Sequence, residues 1–172
     1  VANCSLADRN CWNKWLNVAL AGNSDIAGGN PPVVPKNTMH NAIIVKCAAA
    51  IIREKSLLLT RKKGTQTFIS PGGKPLPGES YSDCLSREIR EELNVEVSKQ
   101  TCLGLFNGTS TFENVPIEMH VYLVEITGEP RAGMEIDEFL WYRGDAAKQA
   151  LKIGSIFRDS VIPLLTSKKL IA

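Results

Sequence analysis

Apolar residues change their period along this chain, and the changes delimit elements. Residues 41–52 and 56–62 are almost unbroken apolar, β-branched-rich runs separated only by Arg53-Glu54-Lys55, which predicts two strands joined as a hairpin. Residues 67–70 read as a short strand leading into Pro71-Gly72-Gly73. The period then lengthens. Leu85, Ile89 and Leu93 recur every four residues, so a helix is predicted from Ser80 to about Leu93. Ser80 followed three residues later by Asp83 is a helix-start signature, and Pro75, Pro77 and Gly78 keep the preceding segment out of the helix. Further strands are predicted at 95–106, 111–112, 117–127 and 139–142, and helices at 144–152 and 156–166. Upstream, Trp12, Trp15, Leu16, Ala19 and Leu20 predict a small amphipathic helix over 8–20, capped by Asp8. Residues 22–38, with Gly28-Gly29-Asn30-Pro31-Pro32 at their centre, have linker composition. The expected organisation is an appended segment over 1–38 and one domain over 39–172. Mixed strands with a helix on either side predict an α/β protein, an α/β/α sandwich around a mixed sheet.

Charge gives the predicted central helix its chemistry. Residues at i, i+3 and i+4 share a helix face, so Glu88, Glu91 and Glu92 project beside the apolar stripe. Acidic helix faces are usually only solvated, but crowded carboxylates repel one another, and a hard divalent cation with oxygen ligands removes that repulsion. Mg²⁺ suits a site that must also hold phosphate oxygens. Arg87 lies one turn before Glu91 and can hold it by a charge-assisted hydrogen bond.

The spacing has a further meaning. Gly73 is followed by Glu79 and then by Arg87, Glu88, the aliphatic Ile89, Glu91 and Glu92, which resembles the Nudix box of hydrolases that cleave nucleoside diphosphates linked to a variable group. The resemblance covers roughly residues 41–166. Asn94 stands where that family has Gly, and Asn is the next most tolerated residue in a left-handed helix C-cap. The resemblance implies a Nudix fold, a Mg²⁺ or Mn²⁺ ion held by Glu88, Glu91, Glu92 and the Gly72 carbonyl, and an Arg87–Glu79 pair bracing loop against helix. It also implies a catalytic base that varies among members. Here the base is either Glu88 or a carboxylate of the distant acidic turn, Glu135 or Glu138, with Asp137 a weaker choice. Arg61, Lys62, Lys63, Lys74 and Phe68 flank the motif and are the candidate substrate contacts. Phe68, Phe106, Phe112, Trp141 and Tyr142 are all available to stack on a base, and the sequence does not rank them.

Composition sets the limits. The 44% hydrophobic and 22% charged residues suit an ordinary globular domain, and no apolar run is long enough to span a bilayer. The five cysteines form no Cys-x-x-Cys pair and His40 and His120 stand alone, which argues against zinc. Cys47, Cys84 and Cys102 read as buried small residues, whereas Cys4 and Cys11 flank the first helix and could pair in an oxidising compartment. A net charge of +2 is too small to imply nucleic-acid binding by itself, and DNA is not expected. The basic residues are nevertheless clustered. Arg53, Lys55, Arg61, Lys62 and Lys63 against Glu54, and Arg143, Lys148, Lys152, Arg158, Lys168 and Lys169 against Asp145 and Asp159, each net +4. With a start at Val1 rather than Met, these features are similar to secreted Nudix effectors of plant-pathogenic fungi. That resemblance implies export and favours the 5′ cap of mRNA as substrate, since two basic segments can hold a trailing phosphate backbone. The alternatives are a cytoplasmic housekeeping nucleoside triphosphate pyrophosphatase, an ADP-ribose or diphosphoinositol polyphosphate hydrolase, and an inactive binding module.

Overall fold

The computed structural model describes residues 43–110, 112–133, 135–144 and 151–172. The expected helix over 8–20, the linker, the domain start at Met39, Cys4, Cys11 and residues 145–150 of the expected helix over 144–152 lie outside the described residues. The first apolar run forms β1 (Ile44–Arg53) and the second β2 (Ser56–Lys62). Glu54 and Lys55 join them with φ of 48° and 57°. Positive φ at both positions of a two-residue loop matches the twist of a tight hairpin. The remaining elements are β3 (Phe68–Ile69), α1 (Tyr81–Leu93), β4 (Glu96–Thr109), β5 (Pro116–Thr127) and β6 (Ile136–Tyr142). A π-helical turn (Phe157–Val161) then runs into α2 (Ile162–Ser167).

One mixed six-stranded sheet holds these strands in the order β3-β2-β1-β5-β4, with β6 on the other edge of β2. β1 and β5 are parallel, and the remaining pairs are antiparallel. Alternation along β1 sends side chains to two cores. Cys47, Ala49 and Ile51, with Leu58 of β2, meet Cys84, Leu85, Ile89 and Leu93 of α1. Ala48 and Ala50, with Leu57 and Leu59, meet Ile156, Phe157, Val161 and Leu165 on the opposite face. The molecule is therefore the expected α/β sandwich.

Three local expectations change. The strand expected at 95–106 runs on to Thr109 as one long β4, and of the strand expected at 111–112, Thr111 lies outside the described residues and Phe112 stands in a turn. Asn107 and Gly108 continue the strand, and a Cβ on Gly108 would lie only 2.8 Å from Ile156. Leu151 and Lys152 are extended rather than helical, because this segment zips alongside β3. Phe68 N–H donates to the Lys152 carbonyl at 2.8 Å, and Gly154 N–H donates to that of Phe68 at 2.9 Å. The final helix widens to a π-turn just before Pro163, with Ile162 N–H donating to Phe157, five residues back. Proline supplies no N–H of its own, so the ladder shifts around it. Cys47 and Cys84 are buried as expected, whereas Cys102 on β4 is only half-buried. No described helix is long and apolar enough to cross a membrane.

Candidate active site

β1 and β2 pair only near their hairpin, at Ile52–Leu57 and Arg53–Ser56, and then part. The freed edge of β1 takes up the glycine loop instead. Cys47 N–H donates to the Gly73 carbonyl and Ala49 N–H to that of Pro71, both at 2.9 Å. Gly72 sits between them at φ 137°, and a Cβ there would lie 2.2 Å from the Cys47 carbonyl oxygen. Only glycine allows this approach of backbone to backbone. The loop is thereby fixed to the sheet beneath the acidic face of α1.

The helix is capped at both ends. Ser80 Oγ accepts from Asp83 N–H at 3.1 Å, and Asn94 closes the last turn in the left-handed region at φ 54°. Between the caps Arg87 is the hub. Its Nε and Nη2 donate to the two Glu79 oxygens at 2.8 and 2.9 Å, and Nη1 donates to Glu88 at 2.8 Å and Glu91 at 3.4 Å. The guanidinium and the Leu76 N–H hold the Glu79 carboxyl down at about 2. Glu92 points the other way, into the protein, and is 3% exposed. Its Oε2 accepts from Gly72 N–H at 3.0 Å, and Lys62 Nζ stands 3.1 Å from Oε1. Burial pushes the Glu92 carboxyl up, against the pull of Lys62 and the Gly72 amide.

These groups line a cleft of about 780 Å³, within the range of small-molecule sites. Glu88, Glu91 and Glu92 meet it from α1, and Lys46, Lys62 and Lys74 from β1, β2 and the glycine loop. Burial pulls the Lys46 ammonium below its usual value; Glu113 opposes this, and Lys74 and Lys62 add to it. A polyanion placed among three ammonium groups would relieve that strain.

The sequence matches the NUDIX domain family over residues 44–165. The chain belongs to the Nudix family. Its members are hydrolases acting on pyrophosphate bonds, generally with divalent metal ions and on nucleotide-type substrates. Among solved structures, the chain is similar to the MutT Nudix hydrolase of Burkholderia pseudomallei. The two are 28% identical with a TM-score of 0.54, over 59% of this chain and 83% of that one. The MutT protein of Methanosarcina mazei Go1 shares the fold, with 21% identity and a TM-score of 0.64 over 77% of this chain and 99% of that one. The Escherichia coli ORF135 protein, at 26% identity and a TM-score of 0.56, covers 74% and 89% respectively.

The fit of a divalent ion to this Nudix site can be judged from the donors. Among the described residues no three His, Cys, Asp or Glu side chains already converge as a ligand set. Glu88 and Glu91 are turned to Arg87, and Glu92 to Lys62 and Gly72. The donors are nevertheless hard oxygens lining one cleft, and the buried Glu92 Oε1 has the Lys62 ammonium 3.1 Å away but no well-aligned hydrogen bond. Hard carboxylate oxygens short of hydrogen bonds suit a divalent cation, so Glu88, Glu91 and Glu92 fit such an ion.

Other candidates are dispersed. Lys62, Lys74 and Glu135 line the cleft, Glu135 largely exposed and paired with Lys62 at 3.1 Å. Arg61, Lys63, Phe68, Glu79 and Glu138 do not line it. Arg61 pairs with Glu138 and Asp137, and Phe68 is buried in the core on the far face from α1. Register is the reason. Arg61 sits opposite Glu138 on β6, and the strand alternation that turns Lys62 into the cleft turns Arg61 away. Sequence reasoning missed Lys46, whose signal was a lone cation within an apolar strand, and Gly133. A Cβ on Gly133 would lie 1.9 Å from the Glu91 carbonyl, and its N–H donates to that of Glu92 at 2.8 Å.

Proposed function

We propose that this protein hydrolyses a phosphoanhydride in a nucleoside diphosphate linked to a second group, with Mg²⁺ or Mn²⁺ held by Glu88, Glu91, Glu92 and the Gly72 carbonyl. The carrying observation is that Glu88, Glu91 and Glu92 line one cleft together with Lys46, Lys62 and Lys74. A bound divalent ion supplies charge neutralisation at the phosphate and a more acidic water. The protein's own groups do the rest. Arg87 orients Glu88 directly and braces the glycine loop through Glu79, while the Gly72 N–H fixes Glu92. Lys46 and Lys74 take phosphate oxygens, and Glu88 or Glu135 accepts the proton of the attacking water.

Ion pairing inside the fold favours a compact nucleotide over a long RNA. Arg53, Arg61, Lys62 and Arg158 are paired with Glu129, with Asp137 and Glu138, with Glu92 and Glu135, and with Asp159. Capped mRNA is the second reading, supported by the exposed Lys63 and Lys152. The test is turnover of capped RNA, cap dinucleotide, nucleoside triphosphates, ADP-ribose and diphosphoinositol phosphates at low and moderate salt. Cleavage of a small nucleoside diphosphate derivative, little changed by salt, is expected. Preference for capped RNA that falls with salt and with Lys63→Glu would favour the second reading, and no turnover anywhere would leave an inactive binding module.

A further inference from the structure

Leu76 and Phe112 stand out on the surface. Only Ile43, Leu76 and Phe112 are large hydrophobic residues left exposed among the described residues, and the last two, at 56% and 47%, both line the cleft. The other aromatic candidates are committed elsewhere. Phe68 is in the core on the α2 side, with Phe106 and Tyr142 packed against it, and Trp141 packs on the α1 side under the Arg53 guanidinium. The structure thus ranks the five aromatic residues that the sequence left equal.

Both residues are held in place. Phe112 sits in the β4–β5 turn, which is tied by Ser110 N–H to the Val115 carbonyl at 2.8 Å, by Asn114 N–H to the Ser110 carbonyl at 3.2 Å, and by a hydrogen bond between Ser110 Oγ and the Glu113 carboxylate. Leu76 is held by its own N–H, which donates to Glu79 Oε2 at 2.8 Å, and Glu79 is clamped by Arg87. Lys74 Nζ, 3.4 Å from Glu113 Oε1, joins the glycine loop to the β4–β5 turn. Two exposed apolar side chains thereby line the same cleft as Lys46, Lys62 and Lys74.

We infer that Phe112 and Leu76 form the base site of this enzyme, in which a planar aromatic base of the substrate stacks on the Phe112 ring with Leu76 beside it. This rests on the nucleotide reading above and adds the residues that set its preference. A base on Phe112 leaves its phosphates beside Lys74 and Lys46, on the path to Glu88, Glu91 and Glu92. The site takes the base of a small nucleotide or of a cap alike, because stacking needs only a π-face.

The test compares kcat and KM for the best nucleotide substrate in wild type, Phe112→Ala, Phe112→Trp, Leu76→Ala and the control Ile43→Ala. Inhibition by the matching nucleoside monophosphate and turnover of a base-free diphosphoinositol phosphate are measured alongside. Stacking on an aromatic ring corresponds to roughly five- to a hundredfold in affinity, so Phe112→Ala should raise KM and weaken the monophosphate by about tenfold. The effect on KM should exceed that on kcat, Phe112→Trp should restore both constants, and Ile43→Ala should match wild type. Nucleotide turnover with KM and inhibition unchanged in Phe112→Ala overturns the base site alone. Wild-type turnover confined to the base-free compound overturns the nucleotide reading together with it.

Discussion

Arg87 satisfies three carboxylates at once, and Glu79 receives the strongest share as a bidentate pair. Its partner's pKa therefore has a definite consequence for stability. The Glu79 carboxyl, held at about 2, lies below its unfolded value, which is about 4.3. Stabilisation from a depressed carboxyl is complete above the unfolded value and is lost as pH falls toward the folded one. Glu79→Gln should accordingly melt below wild type at pH 7, and the gap should narrow as pH falls below about 4. A gap that stays constant across that range in thermal melts would show that the pair does not act through charge. At this scale the Nudix motif was legible because its residues lie within one short stretch of sequence. Lys46 was not, since what brings it to the cleft is the pairing of β1 with a loop farther along the chain.

Secondary elements are fixed by their ends. Asn94 was recognisable as the C-cap of α1, and it adopts the left-handed conformation with its N–H donating to the Arg90 carbonyl at 3.0 Å. The structure adds a side-chain bond from Asn94 Nδ2 to the Arg131 carbonyl at 3.1 Å. Asn94→Gly therefore trades a lost hydrogen bond against relaxed backbone strain and should change stability by less than about 1 kcal/mol. Asn94→Val should cost about 1–2 kcal/mol, because a β-branched residue resists positive φ. Urea unfolding checks both, and a Val variant as stable as wild type would refute the cap. Elements whose ends depend on distant contacts were harder to read. Leu151 and Lys152 were expected to close a helix, yet they are not helical, because β3 offers this segment a hydrogen-bonding edge. The π-turn before Pro163 is equally a matter of where that proline falls in the ladder.

Across the whole molecule, the sheet does two jobs. Its two faces bury separate cores, and the gap where β2 leaves β1 receives the glycine loop that presents Gly72 to Glu92. The α/β sandwich was legible from strand runs and one amphipathic helix, since alternation and helical period are local signals. The cleft was only half legible. Its acidic wall of Glu88, Glu91 and Glu92 lies within one helix, but its lysines, Lys46, Lys62 and Lys74, come from three separate segments. That half depends on tertiary pairing. The central claim is that the acidic wall performs the hydrolysis, and the most direct measurement is Mg²⁺-dependent turnover of a nucleoside diphosphate derivative by Glu91→Gln and Glu92→Gln, each checked for an intact fold by circular dichroism. Loss of an ion ligand at the reacting phosphate removes several kcal/mol of transition-state stabilisation, so kcat should fall by at least about a hundredfold in each. Turnover within about threefold of wild type in both folded variants would contradict the account.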